Sequence, residues 1–419
     1  MSSAQKTETG VSDPHWQRNL WVCVFGSFTT IAAMTQLQPF LPLYVEELGV
    51  RDPAAIVQWS GVAYGAMFLS AGLVAPLWGH LADRYGRKLM LVRASLGMAV
   101  SVSLIGLSDS IWHLVLLRLL AGLLGGYASG SMVLVATQTP RDRTGWALGT
   151  LSAGIMAGNL VGPLVGGVLP PLVGIRNTFF LAGAVIFVSF LATLFLVKED
   201  PRPPWAKGAA GGGHAGGGWK AVPDKRPVLA MLVTGMLLLL ANMSIEPIIT
   251  VYVQQFVPRA DQVTLVSGVV MAAGALGSIL SASRLGRLAD RAGHWNVVVG
   301  GLLASGLLLL PQAFVTASWQ LIGLRFLMGL SLGGLLPCIA AVIRRSVPGG
   351  IAGQVLGYSI SAQYAGQVIG PLFGGFVGGR LGMRAVFLCT SALMIAGAAL
   401  NWQAGAKARR ARADTGPRH

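Results

Sequence analysis

Fifteen of the 419 residues are acidic, and one of them, Glu246, falls inside a long apolar run, "MLLLLANMSIEPIITVYV". The other fourteen lie in polar connections or tails. A carboxyl group held at such a depth can alternate between protonated and ionised forms or meet a cationic ligand. Exposing it to hydrocarbon would be costly, so it is expected to face a cavity or a partner. Pro247 follows it directly and loosens the helix there by removing one backbone hydrogen bond. The competing reading is a wetted carboxylate near the mouth of its helix with no role. Two cations, Arg118 in "LLRLLAGLLGG" and Arg325 in "GLRFLMGLSLGG", are embedded in the same way. Each could serve proton chemistry or simply anchor helix ends, and for Arg325 the anchor is the better reading.

A second constellation is "GHLADRYGRK", residues 79 to 88, which groups Gly79, Asp83, Arg84, Gly86, Arg87 and Lys88 between two apolar runs. It returns 207 positions later as "GRLADRAGHW", with Asp290 and Arg291 in place and His294 where the first copy has Arg87. Glycines on either side of the carboxylate permit close backbone approach and a tight turn, a spacing beyond what a topology signal requires. The alternative is a solvated basic loop that only sets topology. A third pattern is Gly158, Gly162, Gly166 and Gly167 around Pro163, matched by Gly366, Gly370, Pro371 and Gly374. Small residues at four-residue spacing let two helices pack closely. The expectation is a tight contact with a helix of the other half of the chain, with ordinary helix packing as the alternative. Near the depth of Glu246, Met34, Gln38, Phe40, Asn242 and Met243 would line a mostly apolar, adaptable pocket, since flexible methionines accommodate unlike ligands. Core or lipid packing is the competing reading for each.

Helices must position these groups. The chain is 53% hydrophobic and only 11% charged, with a mean hydropathy of +0.65, where a soluble protein carries about 25% charged residues. Apolar segments fall at 18–45, 56–79, 88–108, 111–138, 145–170, 176–197, 228–256, 262–283, 295–312, 318–343, 351–378 and 382–403. Spans of about 20 residues suit transmembrane helices, whose backbone polar groups are satisfied within the segment. The fold class is therefore an all-α membrane protein with twelve transmembrane helices. The polar start lacks the basic and small-residue features of a cleaved signal, so the first run is read as a retained span. Residues 1–197 form one six-helix bundle and 228–403 a second. Between them, the proline- and glycine-rich stretch 198–227 reads as a flexible cytoplasmic linker, and 404–419 as a basic cytoplasmic tail.

Placing the N-terminus inside puts 24 of the 31 lysines and arginines on the cytoplasmic side, five outside and two within spans. That bias sets both termini in the cytoplasm. It also explains the net charge of +16 without a nucleic-acid partner. The two decapeptides, the two arginine motifs, "GPLVGG" against "GPLFGG" and "QPFLPLYV" against "EPIITVYV" all recur 207 or 208 residues apart. Such registered repeats define two parallel halves, a plan by which transporters build a substrate site between two bundles. Cys23, Cys338 and Cys389 lie far apart in apolar runs and give neither a disulfide framework nor a metal site. No phosphate-binding loop or nucleophile–base pair is present in the sequence, and the chain leaves no room for the nucleotide-binding domains of an ATP-driven pump. An enzyme is not expected, and neither is a metal or organic cofactor.

At these motifs the chain resembles the major facilitator superfamily over almost its full length. "GHLADRYGRK" resembles the family's loop between its second and third helices, and "LLRLLAGLLGG" its fourth-helix arginine motif. "GNLVGPLVGG" resembles the fifth-helix motif of the drug–proton antiporters, and "QPFLPLYVEELGV", "GWALGTLS" and "RLGRLADR" resemble the bacterial MdtG-type multidrug efflux group. The resemblance implies proton-coupled efflux of amphipathic small molecules across the bacterial inner membrane by alternating access. The proton is then the coupling ion and the protein a monomer. It further implies that Asp83 pairs with the neighbouring bundle when the cytoplasmic side is closed, and that Arg118 serves proton coupling. The group's pattern is apolar near position 246, so Glu246 is a departure from it, and our own expectation is that Glu246 carries the proton with Arg118 aiding. A transporter of a defined polar metabolite with the same fold is the alternative, and a receptor without transport a more distant one.

Overall fold

A computed structural model of the chain describes residues 15–199, 222 and 224–414. The first span is broken into α1 (Trp16–Thr35), a single 3-10 turn at Gln38–Phe40, and α2 (Leu41–Glu47). Then come α3 (Pro53–Tyr85), α4 (Arg87–Ile105), the pair α5 (Ile111–Leu124) and α6 (Tyr127–Gln138), α7 (Thr144–Val173) and α8 (Ile175–Leu196). The second six spans are α9 (Lys225–Val253), α10 (Ala260–Ala292), α11 (His294–Gln312), the pair α12 (Ser318–Leu332) and α13 (Leu335–Ser346), α14 (Ala352–Leu381) and α15 (Met383–Asp414). Eleven of these spans are long and apolar enough to cross a bilayer. The remaining span, α14, has the length, but eight glycines and three glutamines in 30 residues dilute its hydropathy. Large side chains such as Trp112, Leu172, Phe195 and Trp319 stand exposed around the bundle. Apolar side chains facing outward on helices with internally satisfied backbones are what a lipid surroundings selects.

Several sequence boundaries shift. The segment read as a charged loop at 80–87 is almost all helix, because α3 runs on to Tyr85. The chain reverses at one residue, Gly86, whose φ of +97° suits glycine. The spans expected to be continuous at 111–138 and 318–343 are each interrupted, at Gly126 (φ +103°) and Gly334 (φ +87°). These left-handed residues lie 208 positions apart, so the break is part of the repeat. The last helix continues to Asp414, so residues 404–414 of the expected tail are helical. Of the expected linker, 200–221 and 223 lie outside the described residues, while Lys225–Pro227 already belong to α9. Its start is held: the Asn19 side chain accepts a hydrogen bond from the Lys198 backbone N–H at 3.0 Å and donates to the Lys198 carbonyl at 2.6 Å.

Each half has its own apolar core, with matching polar anchors. The Tyr44 hydroxyl donates to the Ile105 carbonyl at 2.6 Å, and the Tyr252 hydroxyl, 208 residues on, donates to the Gln312 carbonyl at 2.9 Å. Each such bond contributes about 1 kcal/mol net, and more would be lost if the hydroxyl stayed buried without it. The halves meet through α3 against α14 and α7 against α10. That contact is made at the end away from the termini. Thr264 of α10 donates to the Gly167 carbonyl of α7 at 2.9 Å, and Thr250 of α9 donates to the Pro39 carbonyl at 3.0 Å. At the end that carries the termini, a methyl group placed on Gly79, Gly149, Gly286 or Gly357 would touch nothing within 4 Å. Both side-chain hydrogen bonds between the halves, among the described residues, lie at the end away from the termini, so the halves are joined there and splayed at the other end.

Candidate substrate cavity

A cavity of about 480 Å³ opens between the halves, walled by α7 from the first half and by α9, α10, α12 and α13 from the second. Gln38, at the break in the first span, completes it. The lining is mainly apolar, with Met156, Met243, Met271 and Met328 among its side chains, and its polar groups are few: Gln38, Asn159, Asn242, Ser278, Glu246 and Arg325. This is the composition of a site that holds an amphipathic ligand by shape and a few oriented polar contacts.

Glu246 is buried at 7% exposure and its Oε2 atom has no hydrogen-bond partner. Arg325, at 5% exposure, lines the same cavity and likewise leaves its Nε atom without a partner. The two charges lie within electrostatic reach of each other, yet no salt bridge joins them among the described residues. Among the described residues, the Arg325 guanidinium has one side-chain contact, from Nη1 to the Met328 sulfur at 4.0 Å. Arg118 bonds the backbone of a neighbouring helix. It is 4% exposed, does not line the cavity, and donates from Nε to the Ala63 carbonyl of α3 at 3.2 Å. Its guanidinium lies 5.7 Å from the ring centroid of Tyr64. Tyr64 is buried, its hydroxyl has no hydrogen-bond partner, and it lies within electrostatic reach of both Arg118 and Glu246.

Of the expected cavity residues, Gln38, Asn242, Met243 and Glu246 line it, while Met34 and Phe40 do not. Phe40 is fully buried in the first-half core against Phe179, with ring centroids 5.5 Å apart, and Met34 packs against the same core. The break in the first span turns these side chains inward to their own bundle. Sequence spacing carried no sign of Met271, Met328 or Tyr64, because helices distant in the chain supply them. The place of Arg325 in the cavity could have been found from depth alone, since Arg325 and Glu246 lie equally far from the ends of their helices, Ser318 and Val253.

The fifth-helix glycines divide in a way the spacing did not reveal. Side chains on Gly158, Gly162 and Gly166 would run into Phe28, Ala32 and Gln36 of the first span, in the same half. Gly366, Gly370 and Gly374 face Met236, Leu240 and Ser244 of α9 in the same manner. The expected contact across the halves is made by part of the pattern only, Gly167 with Pro163 against Gly268, and Pro371 with the adjacent Gly375 against Gly61. At the splayed end, Asp83 and Arg84 are exposed and Lys88 is half-buried. Asp83 enters no salt bridge among the described residues. Arg87 is buried, bonding the Val133 carbonyl at 3.0 Å and the Thr137 hydroxyl. The Glu199 carboxylate accepts from the Lys88 backbone N–H at 2.6 Å, closing the start of α4. Asp290 meets His294 at 3.6 Å on the same helical corner, and Arg291 is exposed. No cluster of three or more metal-ligating side chains occurs among the described residues.

Two bundles of six spans with a polar-studded cavity between them define a membrane transporter. The sequence matches the family model for the Major Facilitator Superfamily over residues 20–297 and 261–416, and the chain belongs to that superfamily. It is 41% identical to the multidrug resistance protein MdtG of Dickeya zeae, over 92% of this chain and 94% of that one, and 40% identical to the Proteus mirabilis MdtG over 92% and 96%. Solved structures share the fold. A bacterial homologue of the lysosomal transporter Spinster, in an inward-facing, unoccupied conformation, superposes with a TM-score of 0.75 at 14% identity, covering 94% of this chain and 98% of that one. The nucleoside transporter NupG gives 0.71 at 15% identity, over 93% and 99%. The protein is a multi-pass membrane transporter and not an enzyme.

Proposed function

We propose that this transporter exports amphipathic drugs or toxic small molecules from the bacterial cytoplasm in exchange for protons, as a monomer with both termini cytoplasmic. The observation that carries the reading is the position of Glu246: a buried carboxylate in a methionine-lined cavity, with relatives named for multidrug resistance over more than nine-tenths of the chain. The lysine and arginine bias puts the splayed end in the cytoplasm, so the conformation described is cytoplasm-open. A ligand entering from that side meets Glu246 and displaces its proton. When the chain closes around the ligand and opens to the outer face, a proton returns to the carboxylate as the ligand leaves. Each returning proton supplies about 2.3 kcal/mol per 100 mV of membrane potential. No other cofactor is needed. Asp83 and its basic neighbours would hold the cytoplasmic end shut in the alternate state, and Arg118 would steady α3 against α5 through Ala63 and Tyr64. The test is transport of a fluorescent amphiphile into everted vesicles: a pH gradient alone should drive uptake, and a collapsed gradient should abolish it. Uptake that persists without a proton gradient contradicts the exchange.

A further inference from the structure

Resting on the efflux reading, we propose that the preferred ligands of the cavity are zwitterionic amphiphiles, molecules that carry a basic amine and an anionic group on an apolar body, with the amine on Glu246 and the anion on Arg325. Both residues line the same cavity, from α9 and α12. Both are more than nine-tenths buried, and each keeps one polar atom without a partner. A buried charge left unpaired is costly, and the cost falls when a proton neutralises it or a group of opposite sign satisfies it. The two do not satisfy each other by direct pairing. A simple cation would neutralise Glu246 but would lie beside the uncompensated guanidinium of Arg325. A simple anion would satisfy Arg325 and face the carboxylate. Discrimination of this sort comes from the repulsive element as much as from the attractive one. A molecule with both charges relieves both. Asn242 and Gln38, neutral amides that line the same cavity from the two halves, add hydrogen bonds of either sense without favouring a sign of charge.

Specificity and coupling meet at Glu246. A proton on Glu246 removes the partner of the ligand's amine while leaving Arg325 charged, so proton and zwitterion compete for one carboxylate, as exchange requires. Arg325 stays occupied by the anionic group throughout binding.

Nε-dansyl-lysine, whose α-amine and carboxylate are both free, tests this against its methyl ester and its Nα-acetyl acid, which keep the body and remove one charge each. Binding to the full-length protein in lipid nanodiscs is read from dansyl fluorescence. The zwitterion is expected to bind at least tenfold more tightly than either singly charged probe. Arg325→Met should erase the preference over the methyl ester, Arg325→Lys should restore part of it, and Glu246→Gln should erase the preference over the acetyl acid. Equal binding of zwitterion and ester by the wild type overturns the proposal, as does an Arg325→Met protein that keeps the preference or failure of all three probes to bind. Thermal unfolding of each variant separates a lost site from a lost fold. Gradient-driven export of a neutral or cationic dye without any zwitterion preference would leave the efflux reading standing and remove this one.

Discussion

Thr264 on α10 donates a 2.9 Å hydrogen bond to the carbonyl oxygen of Gly167 on α7, joining the two halves at the end away from the termini. Around it the backbones nearly touch: the space beside the Gly268 Cα, where a side chain would grow, is filled by the Pro163 carbonyl and the Gly167 Cα. This contact must open when the cavity faces the outside. A side chain on Gly268 would wedge it apart, whereas one on Gly162 would strike Ala32 and Thr35 inside the first bundle.

Gly268→Leu is therefore expected to cut transport at least tenfold while leaving the melting temperature within a few degrees of wild type. Gly162→Leu should destabilise the fold itself, by about 1–3 kcal/mol for an overpacked contact. Flux in proteoliposomes alongside thermal unfolding separates the two. Equal loss of stability in both variants would show that the halves and the bundles are not distinct packing units.

The left-handed residues at Gly126 and Gly334 separate α5 from α6 and α12 from α13. An L-residue at such a φ costs about 1–2 kcal/mol. Gly334→Ala should lose more stability than Gly126→Ala, because its methyl group would also meet the Ala282 carbonyl at 3.2 Å, while Gly126 has only the Ser129 hydroxyl at 3.7 Å. Denaturation midpoints of the purified variants give the order, and the reverse order would be inconsistent with this packing.

Asp83 is exposed and enters no salt bridge at the splayed end, among the described residues, whereas Asp290 meets His294 at 3.6 Å. Asp83→Asn should reduce transport more than tenfold without lowering thermal stability in the cytoplasm-open state, since among the described residues its carboxylate enters no salt bridge there. Asp290→Asn should be milder. Accessibility of a cysteine placed at Gly79 would report the cause: in the Asp83→Asn protein it should stay reactive from the cytoplasmic side even with ligand bound. Protection equal to wild type would remove the gating role.

Much of this architecture could be read from residue order alone. The twelve apolar runs, the 208-residue repeat and the isolation of Glu246 are one-dimensional facts, and hydrocarbon leaves the backbone few alternatives to helix. What could not be read was the direction in which each helix faces. Gly162 and Gly167 are five residues apart on one helix, yet one meets α1 and the other α10. Arg118 and Arg325 occupy matching positions in the repeat, yet only Arg325 reaches the cavity. The two halves have diverged: Gln38 stands where the second half carries Glu246, so only one of the two arginines has a carboxylate in its own bundle to face. Rotation of a helix about its axis is set by packing against partners far away in the chain, and spacing records it poorly.

Glu246 carries the central claim, and drug-driven proton flux in proteoliposomes tests it most directly. Glu246→Gln keeps the side-chain shape and removes titration. The expected result is loss of substrate-driven proton movement to below a tenth of wild type, with the protein still folded and still able to equilibrate substrate down its gradient. Wild-type proton flux from the Glu246→Gln protein, for zwitterionic, cationic and neutral substrates alike, would contradict the account and move the coupling to another group.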